Sequence, residues 1–515
     1  MSLTIVFVHG WSVTNLNTYG ELPLRLKNEA ALLGSDLQVE EIFLGKYISF
    51  HDEVRLPDIS RAFETAVNQQ LADVLTAKQR FICITHSTGG PVVRDWWNRY
   101  YIETKIVCPM SHLIMLAPAN YGSALAQLGK SRLSRIKSWF EGVEPGQGVL
   151  DWLELGSRGA WELNKKWIQG GDQQITKTNT FPFVLTGQSI DRSLYDNLNS
   201  YTGELGSDGV VRVSTANLQG NFIKLSQPFP EKNKDGKGEL YTKELEIASF
   251  TEAPASPLRI ITNKSHSGSK MGIMASEKKE VTDTANSEIV KAIFDCINVK
   301  TKADYTKVYK QFVNETAKIQ QEELVEIEKR FLLTDRYFIH DRFSNVIFKV
   351  MDSEGYAVTD YDLLLTVPDT RKPGLPDNPN LLPEGFLVDR QRNNVNPETI
   401  TYFFNYDIMN GSEEVRTKDG ETIVRGKTIG ISELGLTITP RPNSGFVRYL
   451  PCSIKASKEM FDLALKPNAT TMIEICLQRL VDNQVFRVEE LKGNSMPTKK
   501  EGDFSGLKPG NDIIK

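Results

Sequence analysis

With 515 residues the chain can bury a large core and divide into two or more domains. Apolar residues at 40% and charged residues at 24% are ordinary globular values, and a net charge of -4 gives no footing for a nucleic-acid partner. No run of about 18 apolar residues occurs, and the start MSLTIVFVHG lacks the basic and apolar regions of a signal peptide, so neither a membrane span nor a secretory leader is expected. The five cysteines, Cys83, Cys108, Cys296, Cys452 and Cys476, are scattered without disulfide or metal-ligand spacing. A reducing compartment, cytoplasmic by default, is the expectation.

Leu3 to Val8 is a continuous run of β-branched and other apolar residues suited to a strand buried on both faces, and it ends in His9-Gly10-Trp11. A helical stretch near Tyr19 to Leu33 and a strand near Leu37 to Leu44 follow. Pro57-Asp58 then opens a helix whose Ile59, Phe63, Val67, Leu71 and Leu75 fall on one face. This alternation predicts a parallel sheet with covering helices. Next comes FICITHSTGGPVVRDWW, Phe81 to Trp97: a buried strand, a tight turn through Thr85-His86-Ser87-Thr88-Gly89, and a helix opening at Gly90-Pro91. A serine on such a turn is held at a sheet edge beside the N–H groups of a helix start. An attacked carbonyl oxygen would become negative within reach of those donors, so Ser87 is a candidate acyl-transfer nucleophile.

The turn resembles the nucleophile elbow, G-x-S-x-G, of the α/β-hydrolases and more narrowly of their lipase branch. Thr85 stands at the first glycine position, Gly89 keeps the second and Gly90 follows. The resemblance implies a mostly parallel α/β sheet with helices on both faces and a helical cap. It also implies two backbone oxyanion donors, the N–H groups of Thr88 and, after His9-Gly10, of Trp11.

Further along, His112 to Ala117 reads as a strand, followed by Tyr121-Gly122-Ser123. The aromatic-rich part of 121–178, with Trp139, Phe140, Trp152, Trp161 and Trp167, reads as the cap; its aromatics are either cap core or a face for an acyl chain or lipid surface. Phe181 to Gly187 resumes the sheet. Gly206-Ser207-Asp208-Gly209-Val210-Val211 reads as a polar turn feeding a short strand, 222–252 as an extended charged excursion, and Leu258 to Thr262 as a strand leading to His266 in a small polar loop. A helix near Asn286 to Val299 closes the unit. Ser87, Asp208 and His266 follow the chain order of the α/β-hydrolase triad. Asp191, after another strand end, is the rival acid. Of the other histidines, His9 and His86 read as packing residues, His51 and His112 lie off the pattern, and His340 falls in the second domain.

A charged amphipathic connector spans 301–331. Beyond it the apolar period changes to two, with short strands at Val346–Val350, Leu363–Val367, Ile400–Tyr406, Leu434–Thr439, Phe446–Pro451, Met472–Leu477 and Val485–Val488. Their spacing predicts a β-sandwich-like domain over 332–492, before a loose tail at 493–515. The resemblance covers 1–300 and looks most like the lecithin–cholesterol acyltransferase and glycosyl-inositol deacylase side of the superfamily and the bacterial phospholipase effectors related to it. It implies a serine lipase or esterase, using neither metal nor organic cofactor, acting on lipid esters at a membrane surface. A toxic phospholipase without a leader would need an export machine or an inhibitory partner, and the sequence points to neither. The competing readings are a soluble carboxylesterase or acyltransferase with the same triad, and a binding or delivery protein with an idle hydrolase domain.

Overall fold

The computed structural model describes residues 3–9, 19–49, 51–128, 146–192, 202–229, 231–232, 239–240, 242–281, 287–329, 334–368 and 385–481. Trp11, Trp139, Phe140, the expected strand at Val485–Val488 and the tail from 493 lie outside them.

In chain order, β1 (Leu3–His9), β2 (Leu37–Phe43), β3 (Phe81–His86), β4 (Met110–Leu116) and β5 (Phe181–Thr186) are followed by β6 (Gly220–Ser226) and β7 (Glu246–Glu252), which join another sheet, and by β8 (Leu258–Ile260), which returns. The first sheet has the order β8-β5-β4-β3-β1-β2 with every pair parallel. Every residue of β3 and β5 is buried, as expected of strands covered on both faces by helices. The order reverses direction between β1 and β3, and the crevice at the carboxyl ends of strands flanking such a reversal is where this class of sheet binds ligands. Here β1 ends in His9 and β3 in the Ser87 turn. Tyr19 braces the pair: its hydroxyl donates to Val8 O at 2.6 Å, and its ring packs edge-on to Phe7.

The helix opened by Pro57-Asp58 is α2 (Leu56–Gln70), after α1 (Leu22–Leu32); the Arg55 N–H donates to the Asp58 carboxylate, and Ile59, Phe63 and Val67 are buried. It packs on α3 (Gly89–Trp97), the helix after Ser87, where Phe63 and Trp96 meet edge to face. Between β4 and β5 come α4 (Gln147–Leu153), α5 (Arg158–Gly170) and α6 (Gln173–Thr178). Their Trp152, Trp161 and Trp167 are buried, so these aromatics serve as core. The buried Arg94 of α3 donates to the side-chain oxygens of Asn120 and Asn164, at 3.1 and 3.0 Å, tying α5 to the elbow helix.

His112 on β4 is a structural histidine: Nε2 lies 2.8 Å from Val299 O and the ring stacks on Phe183. Burial pushes its pKa down to about 4, against the Val299 hydrogen bond, which raises it. The unfolded chain takes up this proton near pH 6.5 and the folded chain only near 4, so stability falls as pH drops through that window. Between pH 7 and 5 the loss from this group is about 2 kcal/mol. Urea unfolding at the two pH values should show His112→Gln losing less stability than the wild type by that amount; an equal loss would mean that His112 is already charged in the fold.

Two sequence readings are corrected. Residues after Asp208 do not extend into a strand; they wrap its carboxylate and enter the short helix α7 (Val213–Ala216), because two of their N–H groups bond that carboxylate. The excursion at 222–252 contains β6 and β7, which pair in the sheet of the C-terminal half. After α8 (Glu288–Ile297), the connector is helical over α9 (Lys302–Glu322), capped by reciprocal Thr301–Asp304 bonds, and then gives a short strand at Val325–Glu328.

The second half supplies β9 (Phe343–Asp352), β10 (Tyr361–Thr366), β11 (Leu387–Arg392), β12 (Thr399–Asn405), β13 (Glu433–Pro440), β14 (Cys452–Ser457) and β15 (Thr470–Leu477). Six strands form a mixed sheet, β11-β12-β9-β15-β6-β7, and three an antiparallel one, β10-β13-β14. Val346, Phe348, Leu363, Leu365, Tyr402, Leu436, Ile438 and Ile475 join both sheets in one core, which makes a β-sandwich. On the other face of the mixed sheet, Ile347 and Met472 belong to the first core. A sheet that borrows β6 and β7 therefore crosses the division drawn at 300.

Candidate active site

The turn after β3 forces Ser87 to φ +51°, a conformation few side chains adopt and one that projects Oγ away from the sheet. The turn is pinned by the Ser87 N–H to Leu116 O at 3.0 Å and by Ala119 N–H to Ser87 O at 3.3 Å. Gly90 must be small, since a Cβ there would lie 2.7 Å from Pro118 Cβ. The threonine at the first elbow position is accommodated through Gly89, whose added Cβ would come within 3.3 Å of Thr85 Cβ. Thr88 is the N-cap of α3, at the end where a helix leaves its first N–H groups unpaired.

Three distant segments meet here. His266 Nε2 is 3.1 Å from Ser87 Oγ, and His266 Nδ1 is 2.9 Å from Asp208 Oδ2. The carboxylate's other oxygen accepts from the N–H groups of Val210 and Val211, at 3.0 and 2.8 Å, and the His266 N–H donates to Asp208 O at 2.9 Å. Asp208 and His266 are fully buried and Ser87 is 9% exposed. An accepting carboxylate at Nδ1 puts the imidazole proton on that nitrogen and leaves Nε2 free to accept from a hydroxyl. The carboxylate at His266 is thus that of Asp208; Asp191 is buried beyond the end of β5.

His86, read as a packing residue, lies directly against this imidazole. Its Nε2 is 3.1 Å from His266 O and the two rings are 4.7 Å apart. Burial, and then the proximity of His266, hold its pKa well below the ordinary histidine value, so a neutral ring supports the His266 loop. Its place in the variable position of the elbow could not reveal that contact. His51 is exposed, His112 is bound to Val299, and His340 bonds Glu326. The Trp11 N–H, expected as an oxyanion donor, belongs to the residues not described. Among the described residues no group of three or more His, Cys, Asp or Glu side chains is placed to hold a metal ion. All five cysteines are free thiols.

Two solved structures match nearly the whole chain. Phospholipase PlaB from Legionella pneumophila is 41% identical, with a TM-score of 0.80, over 96% of this chain and 97% of its own. The chain belongs to the PlaB phospholipase family. PlaB in complex with thio-NAD is 39% identical, with a TM-score of 0.79, over 98% of this chain and 99% of that one. No protein-family model and no curated protein matches the chain. Membership of the PlaB family, on an α/β-hydrolase sheet, makes this a serine ester hydrolase of the lipase and phospholipase kind.

Proposed function

We propose that the chain hydrolyses carboxylic ester bonds of phospholipids at a lipid surface, through an acyl-enzyme on Ser87. The observation that carries the reading is the line from Asp208 through His266 to Ser87 Oγ, in a relative of a phospholipase. Ser87 Oγ attacks the ester carbonyl carbon as His266 Nε2 takes its proton, and the carbonyl oxygen becomes an oxyanion. The N–H of Thr88, with that of Trp11, receives this charge. His266 then gives the proton to the departing alcohol, the glyceryl oxygen bond breaks, and the acyl group remains on Ser87. Water then attacks the acyl carbon as His266 takes its proton, the bond from that carbon to Ser87 Oγ breaks with the proton returned to Oγ, and the fatty acid leaves. Asp208 holds the Nδ1 proton and stabilises the imidazolium throughout. We assign the catalytic unit to 1–300, with 121–178 as its cap, and the sandwich to 332–492 completed by β6 and β7.

Among the described residues no helix is long and apolar enough to cross a membrane. Fatty-acid release from phosphatidylcholine and phosphatidylglycerol vesicles, set against hydrolysis of a short soluble ester, tests the reading. Turnover should rise at least about tenfold on vesicles. Equal or better turnover of the soluble ester would favour the carboxylesterase, and transfer to an added alcohol in place of water the acyltransferase.

A further inference from the structure

The Asp208 carboxylate is shaped within its own turn by the N–H groups of Val210 and Val211, and the turn also meets His266 through Nδ1 and the His266 N–H and Ser123 through its hydroxyl on Val210 O. A second set of anchors lies on the mixed sheet of the sandwich. Arg212, 2% exposed, reaches Glu204 through two bonds of 2.7 Å, closing the loop on itself, and Asp389 of β11 at 2.5 Å. Its guanidinium lies 4.0 Å from the Phe403 ring of β12, which stacks on Phe343 of β9 at 4.9 Å. Gly206 passes so close that an added Cβ would sit 2.3 Å from the Phe343 ring, and Thr470 of β15 donates to Ser214 O at 2.8 Å.

The charges in this cluster do not balance. Glu204 alone neutralises Arg212, so Asp389 adds a second carboxylate to a buried site where an extra charge is a cost rather than a gain. Burial by itself would lower the Arg212 pKa, yet Glu204 and Asp389 outweigh it and hold the guanidinium above its ordinary value. A costly buried charge that is directional fixes register.

We infer that Asp389 is a positioning residue for the reaction: from the sandwich it grips Arg212 and holds the Asp208 loop where its carboxylate meets His266. The inference rests on Asp208 being the triad acid. Displacing that carboxylate by about 1 Å costs up to about 100-fold in turnover.

The test is steady-state hydrolysis of a short soluble ester by the full chain. Asp389→Ala should lower kcat at least about tenfold with KM unchanged. Asp389→Asn, which keeps an acceptor for Arg212, should restore most of that loss. In an Asp208→Asn background, Asp389→Ala should cost no more than about twofold, because the group being positioned is gone. Thr470→Val, which loosens the same loop from another strand, should lower kcat with KM unchanged, and it keeps the test open if Asp389→Ala does not fold. A folded Asp389→Ala with wild-type kcat, or one whose loss persists undiminished in the Asp208→Asn background, would overturn the inference. Should Thr470→Val serve as the fallback, wild-type kcat would overturn it equally. Near-wild-type kcat in Ser87→Ala or Asp208→Asn would instead remove the triad reading beneath it.

Discussion

Ser87→Ala is expected to lower kcat/KM for ester hydrolysis by at least about 10⁴-fold while leaving the protein folded. Among the described residues the Oγ being removed has one hydrogen-bond partner, His266 Nε2 at 3.1 Å, and it carries no part of the core. The positive φ that makes this turn costly is already borne by serine, and alanine meets the same steric terms. The melting temperature should therefore shift by only a few degrees. A serine, base and acid that act as one unit are strongly non-additive, so Ser87→Ala with His266→Ala should be no slower than Ser87→Ala alone. A further drop in the double variant would mean that His266 serves a second path.

Asp208→Asn should lower kcat by about 10³- to 10⁴-fold, for a reason that concerns a single proton. An asparagine at 208 can still accept from the Val210 and Val211 N–H groups, so the loop keeps its shape. Its other atom, now an amide donor, faces His266 Nδ1 and drives the imidazole proton to Nε2. That nitrogen then meets the serine hydroxyl with a hydrogen and cannot take another. Asp191→Asn, at the rival acid, should keep kcat within a few-fold. Reversed outcomes for the two variants, measured on the same soluble ester, would transfer the acid's role to Asp191.

The parts of the site that were legible in the sequence are those set by short-range chemistry. A β-branched run meeting Ser87, two glycines and Pro91 can be read as a strand-turn-helix because each residue is the cheapest answer to a local backbone demand. Asp208 and His266 were singled out for a similar reason, the first in a polar turn whose Asp-Gly-Val-Val context resembles that of a lipase acid and the second in a small polar loop just past a strand-like run. What was illegible depends on pairing across long separations. Nothing in the residues 220–226 announces a partner at 470–477, and β11, LVDRQR, reads as charged loop until β12 is beside it. The short helix after Val211 was mistaken for a strand because β-branched propensity there yields to the bonds drawn in by the Asp208 carboxylate. The partner of His86, read only as a packing residue, and the role of Arg212 were both illegible, since His266 and Asp389 lie more than 170 residues away from them.

Catalysis by this chain turns on one covalent bond, that between Ser87 Oγ and the attacked centre. Reaction of the full chain with a fluorophosphonate, followed by peptide mass spectrometry, locates it. The prediction is a single adduct on the peptide containing Ser87, formed rapidly in the wild type, slowed at least about 100-fold in His266→Ala and absent in Ser87→Ala. An adduct on another residue, or labelling undiminished by Ser87→Ala in folded protein, would contradict the account.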